Sequence, residues 1–394
     1  MQKYYAADVT YSEPEVCVLR GISIPGMCER HGASRRSPTR SRRLAPCRSF
    51  PIRRFGENSL RNWLALSFTL CLLGGCDQSA QNGPVNNSAS GQIGSQSETR
   101  TYPYQIVTTC GMVTDIVRQV AGDKATVTGL MGEGVDPHLY KPTRNHVGEL
   151  MGADVVFYSG LMLEGRMGDN FESLKKSGKP VYAVTAGIDP GYLREPPEFK
   201  GHFDPHVWMD VNAWSECVAF VATTLGNFDI ANADLYLTNA ESYRNELAKL
   251  DEYARKSIAT IPEDRRVLVT AHDAFGYFSR AYVIDVRSVQ GLSTESEAAV
   301  QDINNLVNFI VEKKIPAIFV ESSVSVKNMQ AIIEGAAQQK WVVKIGGELF
   351  SDAMGKPGTY EGTYMGMIDH NVTIITRALG GQAPESGLQG KLHP

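Results

Sequence analysis

The sequence predicts an α/β protein made of two (β/α) lobes with parallel sheets, bridged by one long, rigid α-helix. Two observations support this class. Short β-branched segments alternate with longer segments of helical period on both sides of residues 231–261, and strand-helix alternation is typical of parallel sheets. The segment 231–261 contains neither Gly nor Pro, so it predicts a single helix of about 46 Å at the usual 1.5 Å rise per residue.

Four strand-like segments precede the long helix and four follow it. They are YQIVTTC, ATVTGLM, ADVVFYSG and KPVYAVT, then RRVLVTAH, AYVIDVRSV, PAIFVES and WVVKIG. This order predicts a first lobe over 101–230, the bridging helix over 231–261 and a second lobe over 262–394. A single large α/β domain with a surface helix is the alternative. Because open α/β sheets bind ligands at the carboxyl ends of their strands, the site is expected in the cleft between the lobes.

One continuous apolar stretch, Trp63–Leu73, stands ahead of these lobes. It has 11 residues, about half of the ~20 that a membrane-spanning helix needs. Arginines precede it, and Leu-Gly-Gly followed by Cys76 comes after it. Residues 53–76 therefore resemble a bacterial lipoprotein signal peptide and lipobox, which implies lipidation of Cys76 as the first residue of the mature protein. A secretory signal with an incidental cysteine is the alternative.

The segments on either side of this signal have unusual compositions. Residues 1–52 are rich in Arg, Ser and Pro without hydrophobic periodicity, so we interpret them as disordered or as an over-extended start of translation. A basic nucleic-acid-binding arm is the alternative for this segment. Residues 77–100 are almost free of apolar side chains and predict a flexible polar tether that would hold a domain away from the bilayer.

Charge is distributed unevenly along the chain. The net charge is −4, but residues 1–62 hold 12 Lys and Arg against 5 Asp and Glu, while residues 63–394 hold 27 against 38. A nucleic-acid-binding protein needs a basic face that displaces counterions from phosphates. The acidic body therefore excludes a general nucleic-acid binder and suits small cations.

Only two of the seven cysteines belong to the predicted lobes. The others lie upstream of the predicted cleavage or at it: Cys17, Cys28, Cys47, Cys71 and Cys76. Cys110 and Cys217 could pair in an oxidising compartment or remain buried free thiols. Neither has the CxxC spacing of a metal or redox site.

A rare tripeptide occurs twice among only eight histidines. Asp-Pro-His presents both His138 and His206, and proline stiffens each loop by fixing its own φ and extending the preceding residue. His272 follows the predicted strand RVLVTA, and Asp352 follows WVVKIG closely. We interpret all four as residues of post-strand loops, two in each lobe. Three imidazoles and one carboxylate would complete a closed four- or five-coordinate metal site.

Each of these residues has a simpler interpretation. A histidine after a strand is often a packing or capping residue, and Asp352 could cap a helix that starts near Met354. Three further aspartates could orient the histidine rings or merely form turns: Asp136, Asp204 and Asp273. The remaining histidines are expected outside the ligand set. His146 and His370 are interpreted as helix residues, and His202 as a neighbour of the site.

Five segments carry a family resemblance. They are, in this order, DPHLYKPT, DPHVWMD, VTAHDAFGYFSRAY, IPAIFVESSV and LFSDAMG. With them the chain resembles the metal-binding solute-binding lipoproteins of bacterial manganese and zinc ABC transporters (cluster A-I), which include treponemal and streptococcal lipoproteins. The resemblance covers about Gln105–Leu379. It implies the two-lobe fold with a bridging helix, and it implies that the metal ligands are His138, His206, His272 and Asp352.

The resemblance also implies a function and its partners. The protein would be the extracytoplasmic component of an ABC importer that captures Mn²⁺ or Zn²⁺ and delivers it to a permease with its ATPase subunit. It would be a monomer in the periplasm or at the cell surface, anchored to the membrane through a lipid at Cys76, without a nucleic-acid partner. Because both lobes supply ligands, the ion would close the cleft, and the permease or histidine protonation would release it.

Two other functions compete with ion capture. A zinc-dependent hydrolase also uses His and Asp ligands, but catalytic zinc keeps an open position for water, whereas this set is closed and no HExxH motif is present. The protein is therefore predicted not to be an enzyme. A surface adhesin of the same family is the other alternative.

The identity of the ion is left open by the sequence. Gly160–Lys200 lacks the histidine-rich loop of many zinc-dedicated relatives, which favours manganese or a mixed role. The nitrogen-rich ligand set and the Irving–Williams order favour tighter Zn²⁺ binding. Many manganese-type relatives have Glu where this sequence has His272, which weakens an assignment to manganese alone.

Overall fold

The computed structural model describes residues 101–393. The predictions for 1–52, for the signal segment 53–76 with Cys76, and for the tether 77–100 lie outside the described residues. None of the helices within 101–393 is both long and apolar enough to cross a membrane.

The first lobe is a four-stranded sheet in which every neighbouring pair is parallel. Its strands are β1 (Tyr104–Thr108), β2 (Ala125–Gly129), β3 (Val155–Tyr158) and β4 (Val181–Ala183), in the spatial order β2-β1-β3-β4. Its helices are α1 (Gly111–Ala121), α2 (Arg144–Gly152), α3 (Gly168–Lys176) and α4 (Val211–Phe228). The central strands β1 and β3 are largely apolar and buried, as strands covered on both faces must be.

The second lobe repeats the strand-helix alternation. Its strands are β5 (Val267–His272), β6 (Asp285–Gln290), β7 (Ala317–Glu321) and β8 (Lys344–Leu349), and its helices are α6 (Gly276–Tyr282), α7 (Val300–Lys313), α8 (Lys327–Gln338) and α9 (Tyr364–Ala378). Strands β5 and β6 form one parallel pair, and β7 and β8 form another with a register shift at Ile318/Phe319. The two pairs lie side by side through β5 and β7.

One helix of 27 residues, α5 (Ala233–Ala259), bridges the lobes and confirms the predicted fold class. It packs against α1 and α4 of the first lobe and against α6 and α9 of the second. Tyr243 donates a hydrogen bond to Asp115 on α1 (2.7 Å), and the hydroxyls of Tyr253 and Thr373 on α9 are 2.7 Å apart. The helix is therefore fixed to both lobes, which limits how far they can move apart.

Three local predictions differ from the structure. The segment AYVIDVRSV was predicted as a strand, but its first two residues end α6 and β6 begins only at Asp285. The segment WVVKIG was predicted as a strand, but β8 begins only at Lys344, because Trp341 closes the turn after α8 through its backbone N–H to Ala336 and bonds the Ile315 carbonyl through its indole N–H. The helix predicted near Met354 begins at Tyr364 instead, where the Thr363 hydroxyl caps it by accepting the Gly366 N–H.

Both cysteines of the described region, Cys110 and Cys217, are buried free thiols. Burial raises the pKa of the Cys110 thiol to about 12. A thiol with so high a pKa stays protonated and unreactive at neutral pH.

Candidate metal centre

The four residues singled out by the sequence meet in one buried cluster between the lobes. Their ligand atoms all lie within 4.8 Å of one another. The Nε2 atoms of His138 and His206 are 3.3 Å apart. The Asp352 carboxylate oxygens approach the Nε2 atoms of all three rings, at 3.6 Å for His138, 3.4 Å for His206 and 3.2 Å for His272. In the described part of the chain, this is the one group with the spacing of a metal site.

The elements that carry these residues differ from the prediction in two places. His138 lies in the loop after β2, and Asp352 lies in the loop after β8, as predicted. His272, however, is the last residue of β5 rather than a loop residue. His206 lies far beyond β4, in the connection that leads into α4, because several short 3-10 turns separate β4 from that helix. Two of the four residues therefore come from loops after strands, one from the end of a strand and one from this connection.

The His206 ring is held by Asp204. The Oδ1 atom of Asp204 lies 2.9 Å from His206 Nδ1 and also accepts the His206 backbone N–H at 3.0 Å. The other oxygen of Asp204 forms an ion pair with Arg194. With Nδ1 engaged by a carboxylate, the Nε2 atom of His206 faces the cluster, which is the arrangement that metal-binding histidines commonly show.

The His272 ring is held by Glu321, a residue that sequence reasoning missed. Glu321 Oε2 lies 2.5 Å from His272 Nδ1, while Oε1 accepts the backbone N–H groups of Ala271 (2.7 Å) and His272 (2.9 Å). Glu321 ends β7, directly beside the end of β5. A carboxylate one residue before the end of the predicted strand PAIFVES was the available signal, because parallel strands end at one edge of a sheet.

The other two candidate aspartates do not orient a histidine ring. Asp136 accepts the backbone N–H of His138 at 2.8 Å and a hydrogen bond from the Thr294 hydroxyl of the second lobe, so it shapes the loop, which was the alternative interpretation. Asp273 is mostly buried, and burial together with the nearby Asp204 charge raises its pKa to about 6.

Burial and the surrounding carboxylates set different protonation states for the three rings. Burial lowers the pKa of His138 to about 3. Burial alone would also lower the pKa of His206, but Asp204 and Asp352 outweigh it and raise that pKa to about 9. The charges of Glu321 and Asp352 similarly overcome burial and raise the pKa of His272. Asp352 is itself buried, yet the adjacent His272 and His206 hold its pKa well below the usual range, so this carboxyl is ionised.

The cluster leaves buried ligand atoms without hydrogen-bond partners. Both Asp352 oxygens and His272 Nε2 are in this state, and the 3.2 Å contact between the two side chains lacks hydrogen-bond alignment. Buried polar atoms are nearly always paired, so their convergence on one point calls for a cation there. Three imidazole nitrogens and one carboxylate form a donor set that Zn²⁺ and related divalent ions accept.

The remaining histidines lie outside the cluster. His146 belongs to the first turn of α2, where its backbone N–H and ring take part in a capping box with Thr143. His370 on α9 bonds the Glu348 carbonyl at 3.0 Å. His202 is exposed and packs against Phe199, so it is near the His206 connection in sequence but contributes no atom to the cluster.

Comparison with known proteins identifies the family. The family described as "Zinc-uptake complex component A periplasmic" matches residues 106–378. The "Zinc-binding protein TroA" of Treponema pallidum is 47% identical over 274 residues, which cover 70% of this chain and 88% of that protein. The "Manganese-binding lipoprotein MntA" of Bacillus subtilis is 46% identical over 275 residues, covering 70% of this chain and 89% of that protein.

A solved structure agrees with these matches. The periplasmic zinc-binding protein TroA from Treponema pallidum superposes with a TM-score of 0.68 at 46% identity, covering 70% of this chain and 99% of that one. Other relatives are named metal ABC transporter substrate-binding lipoproteins, such as FimA of Streptococcus parasanguinis. These proteins serve transport rather than catalysis, so the hydrolase alternative is set aside. The chain belongs to this family of metal-binding substrate-binding proteins of ABC transporters.

Proposed function

We propose that this protein captures Mn²⁺ or Zn²⁺ as the cargo of an ABC importer, with His138, His206, His272 and Asp352 as the ligands. One observation carries the proposal: buried ligand atoms from both lobes converge within 4.8 Å, and three of them have no hydrogen-bond partner. A divalent cation would satisfy all of these atoms at once.

The arrangement of the ligands supports capture rather than catalysis. Four protein side chains fill a four-coordinate shell, whereas catalytic zinc keeps one position for water. Because two ligands come from each lobe, the bound ion would stabilise the closed cleft by binding it more tightly than an opened one. Release would then require the lobes to separate.

Membership of the family supports a proposal about partners and location. We propose that the protein works outside the cytoplasm with a membrane permease and its ATPase, as relatives named ABC transporter substrate-binding lipoproteins do. A lipid on Cys76 would anchor it, and it would act as a monomer. A labelled fatty acid supplied to cells should be incorporated into the wild-type protein and not into Cys76→Ala.

Both ions remain candidates for chemical reasons. The two relatives reported above are named for zinc and for manganese, at 47% and 46% identity. Nitrogen donors bind Zn²⁺ more tightly than Mn²⁺ at almost any such site, so affinity alone does not name the cargo.

Calorimetric titration tests the proposal. The metal-stripped protein is titrated with Mn²⁺ and separately with Zn²⁺ near neutral pH. One tight site per chain for at least one ion is the expected result. Absence of tight binding for both ions would overturn the ligand assignment. Near-equal affinities would favour a manganese or dual importer over a zinc specialist.

A further inference from the structure

The two carboxylates that hold the histidine rings differ in their own partners. Asp204 behind His206 is paired with Arg194, so its negative charge is compensated. Glu321 behind His272 accepts hydrogen bonds only from the Ala271 and His272 backbone and from the His272 ring. Within residues 101–393, no Lys or Arg forms an ion pair with Glu321.

This carboxylate, which has no Lys or Arg partner within residues 101–393, is closely coupled to the ligand cluster through His272. Glu321 is 2% exposed and His272 is fully buried, and the atoms joining them are 2.5 Å apart. Charges act strongly over such distances where water is excluded. The negative charge of Glu321 therefore reaches an ion in the cluster through the His272 ring.

We propose that Glu321 is a positioning and specificity-determining residue, which acts through His272 to let this nitrogen-rich site hold Mn²⁺ as well as Zn²⁺. The inference rests on the proposed function. Its chemical reason is the difference between the ions. Zn²⁺ gains much of its binding energy from imidazole nitrogen, whereas Mn²⁺ binds nitrogen donors weakly and depends more on negatively charged oxygen and on the charge around the site.

Substitution of Glu321 by Gln tests the role of its negative charge at nearly constant side-chain size. Glu321→Gln keeps the size of the side chain and removes the charge, and its one amide oxygen can accept either the ring N–H or the two backbone N–H groups. We expect the Mn²⁺ affinity to fall about 10–100-fold, which is the range for lost partners of metal ligands. The fold-loss of Zn²⁺ affinity should be about ten times smaller than that of Mn²⁺. The variant should therefore discriminate more strongly in favour of Zn²⁺ than the wild-type protein does.

A second buried glutamate provides the matched control. Glu164 also accepts three hydrogen bonds, from the Thr109 hydroxyl and the Ser159 and Gly160 backbone, and none of these groups belongs to the ligand cluster. Glu164→Gln should leave the ratio of Mn²⁺ to Zn²⁺ affinity unchanged. Glu321→Asp keeps the charge with a shorter reach, so both affinities should fall while their ratio stays near the wild-type value.

The experiment is competition titration of the purified, metal-stripped proteins with Mn²⁺ and Zn²⁺, together with the absorption spectrum of each protein loaded with Co²⁺. Unchanged Co²⁺ band positions in Glu321→Gln, with a shifted affinity ratio, would support the proposal. Equal losses for the two ions, or no loss, would overturn it. If Glu321→Gln does not fold, a changed ratio in Glu321→Asp would overturn it instead. Failure of the wild-type protein to bind either ion would remove the proposed function as well.

Discussion

Two identical tripeptides, Asp136-Pro137-His138 and Asp204-Pro205-His206, supply histidines to the same cluster but are built into the protein differently. Asp204 engages both the ring and the backbone of His206, whereas Asp136 engages only the backbone of His138 and a threonine of the other lobe. The pKa of His206 is accordingly raised to about 9, while burial lowers that of His138 to about 3. The same tripeptide therefore gives two protonation states, because the Asp204 carboxylate reaches the ring of its histidine and the Asp136 carboxylate does not.

The segments that follow His206 and His138 also differ in burial. The residues after His206 are fully buried, and the Trp208 indole donates to the Ser351 carbonyl of the second lobe at 2.9 Å. The residue after His138, Leu139, is 42% exposed. The His206 side is therefore packed against the second lobe, and we expect the cleft to open at the more exposed His138 side.

Removal of a ligand should have the largest effect. Structural zinc sites with four ligands bind with about 10–16 kcal/mol, so the loss of one ligand should cost about 3 kcal/mol, or roughly 100-fold in affinity. We expect His206→Ala to show a loss of this size, because it removes one of the four ligand atoms from the cluster. His138→Ala should show a similar loss of metal affinity, roughly 100-fold.

Calorimetry with Zn²⁺ measures both variants, and circular dichroism checks that each remains folded. His146→Ala, outside the cluster, is the control and should bind as the wild-type protein does. Wild-type affinity in His206→Ala would exclude this residue as a ligand.

The second largest effect on metal affinity should come from replacing the aspartates of the two tripeptides, and it should differ between them. Asp204→Asn removes the carboxylate that orients and charges the His206 ring, so we expect a loss of about 10–100-fold in metal affinity. Asp136→Asn keeps an oxygen that can accept the His138 backbone N–H, so its loss should be only a few-fold. The same titrations compare them. Equal effects would show that the two tripeptides have the same role despite their different hydrogen bonds.

The two histidines should also respond differently to pH. His206, with a pKa of about 9 in the ion-free protein, carries a proton at pH 7 that the ion must displace. Metal affinity should therefore rise with pH between 7 and 9, by up to about tenfold per unit from this residue alone. His138, with a pKa of about 3, is neutral throughout this range and contributes nothing to the slope.

Titrations in buffers with different ionisation enthalpies measure the protons released on binding. At pH 7 the wild-type protein should release at least one proton per ion. Asp204→Asn should release less, because the ring loses the carboxylate that raises its pKa. A flat affinity between pH 7 and 9 in the wild-type protein would contradict the assigned protonation of His206.

The sequence contained enough information for the fold class and for bringing the four cluster residues together. Apolar segments with strand and helix periods predicted the two lobes, and the repeated Asp-Pro-His drew attention to His138 and His206. These signals are local, so they can be read without knowing which elements are neighbours. The same locality made the strand WVVKIG start too early, because the Trp341 contacts that delay β8 come from another part of the lobe.

The partners of the ligands could not be predicted in this way. Glu321 is 49 residues from His272, and their contact exists only because β5 and β7 lie side by side. The contact of Asp136 with Thr294 likewise joins residues that are 158 positions apart in the chain. Residues that bind an ion can be recognised from their residue type. Residues that adjust the affinity of the site can be recognised only from their position in the fold.

The smallest expected effect concerns the contact that joins the His138 loop to the second lobe. Thr294→Val keeps the shape of the side chain but removes the hydroxyl that bonds Asp136. A single hydrogen bond contributes about 0.5–1.5 kcal/mol, so the affinity should fall only a few-fold. The fall should come from faster release rather than slower capture, because the contact exists only when the cleft is closed. Stopped-flow measurement of Zn²⁺ release to a chelator tests this, with Thr223→Val on the exposed surface of α4 as the control. An unchanged release rate in Thr294→Val would place the opening of the cleft elsewhere than at the His138 side.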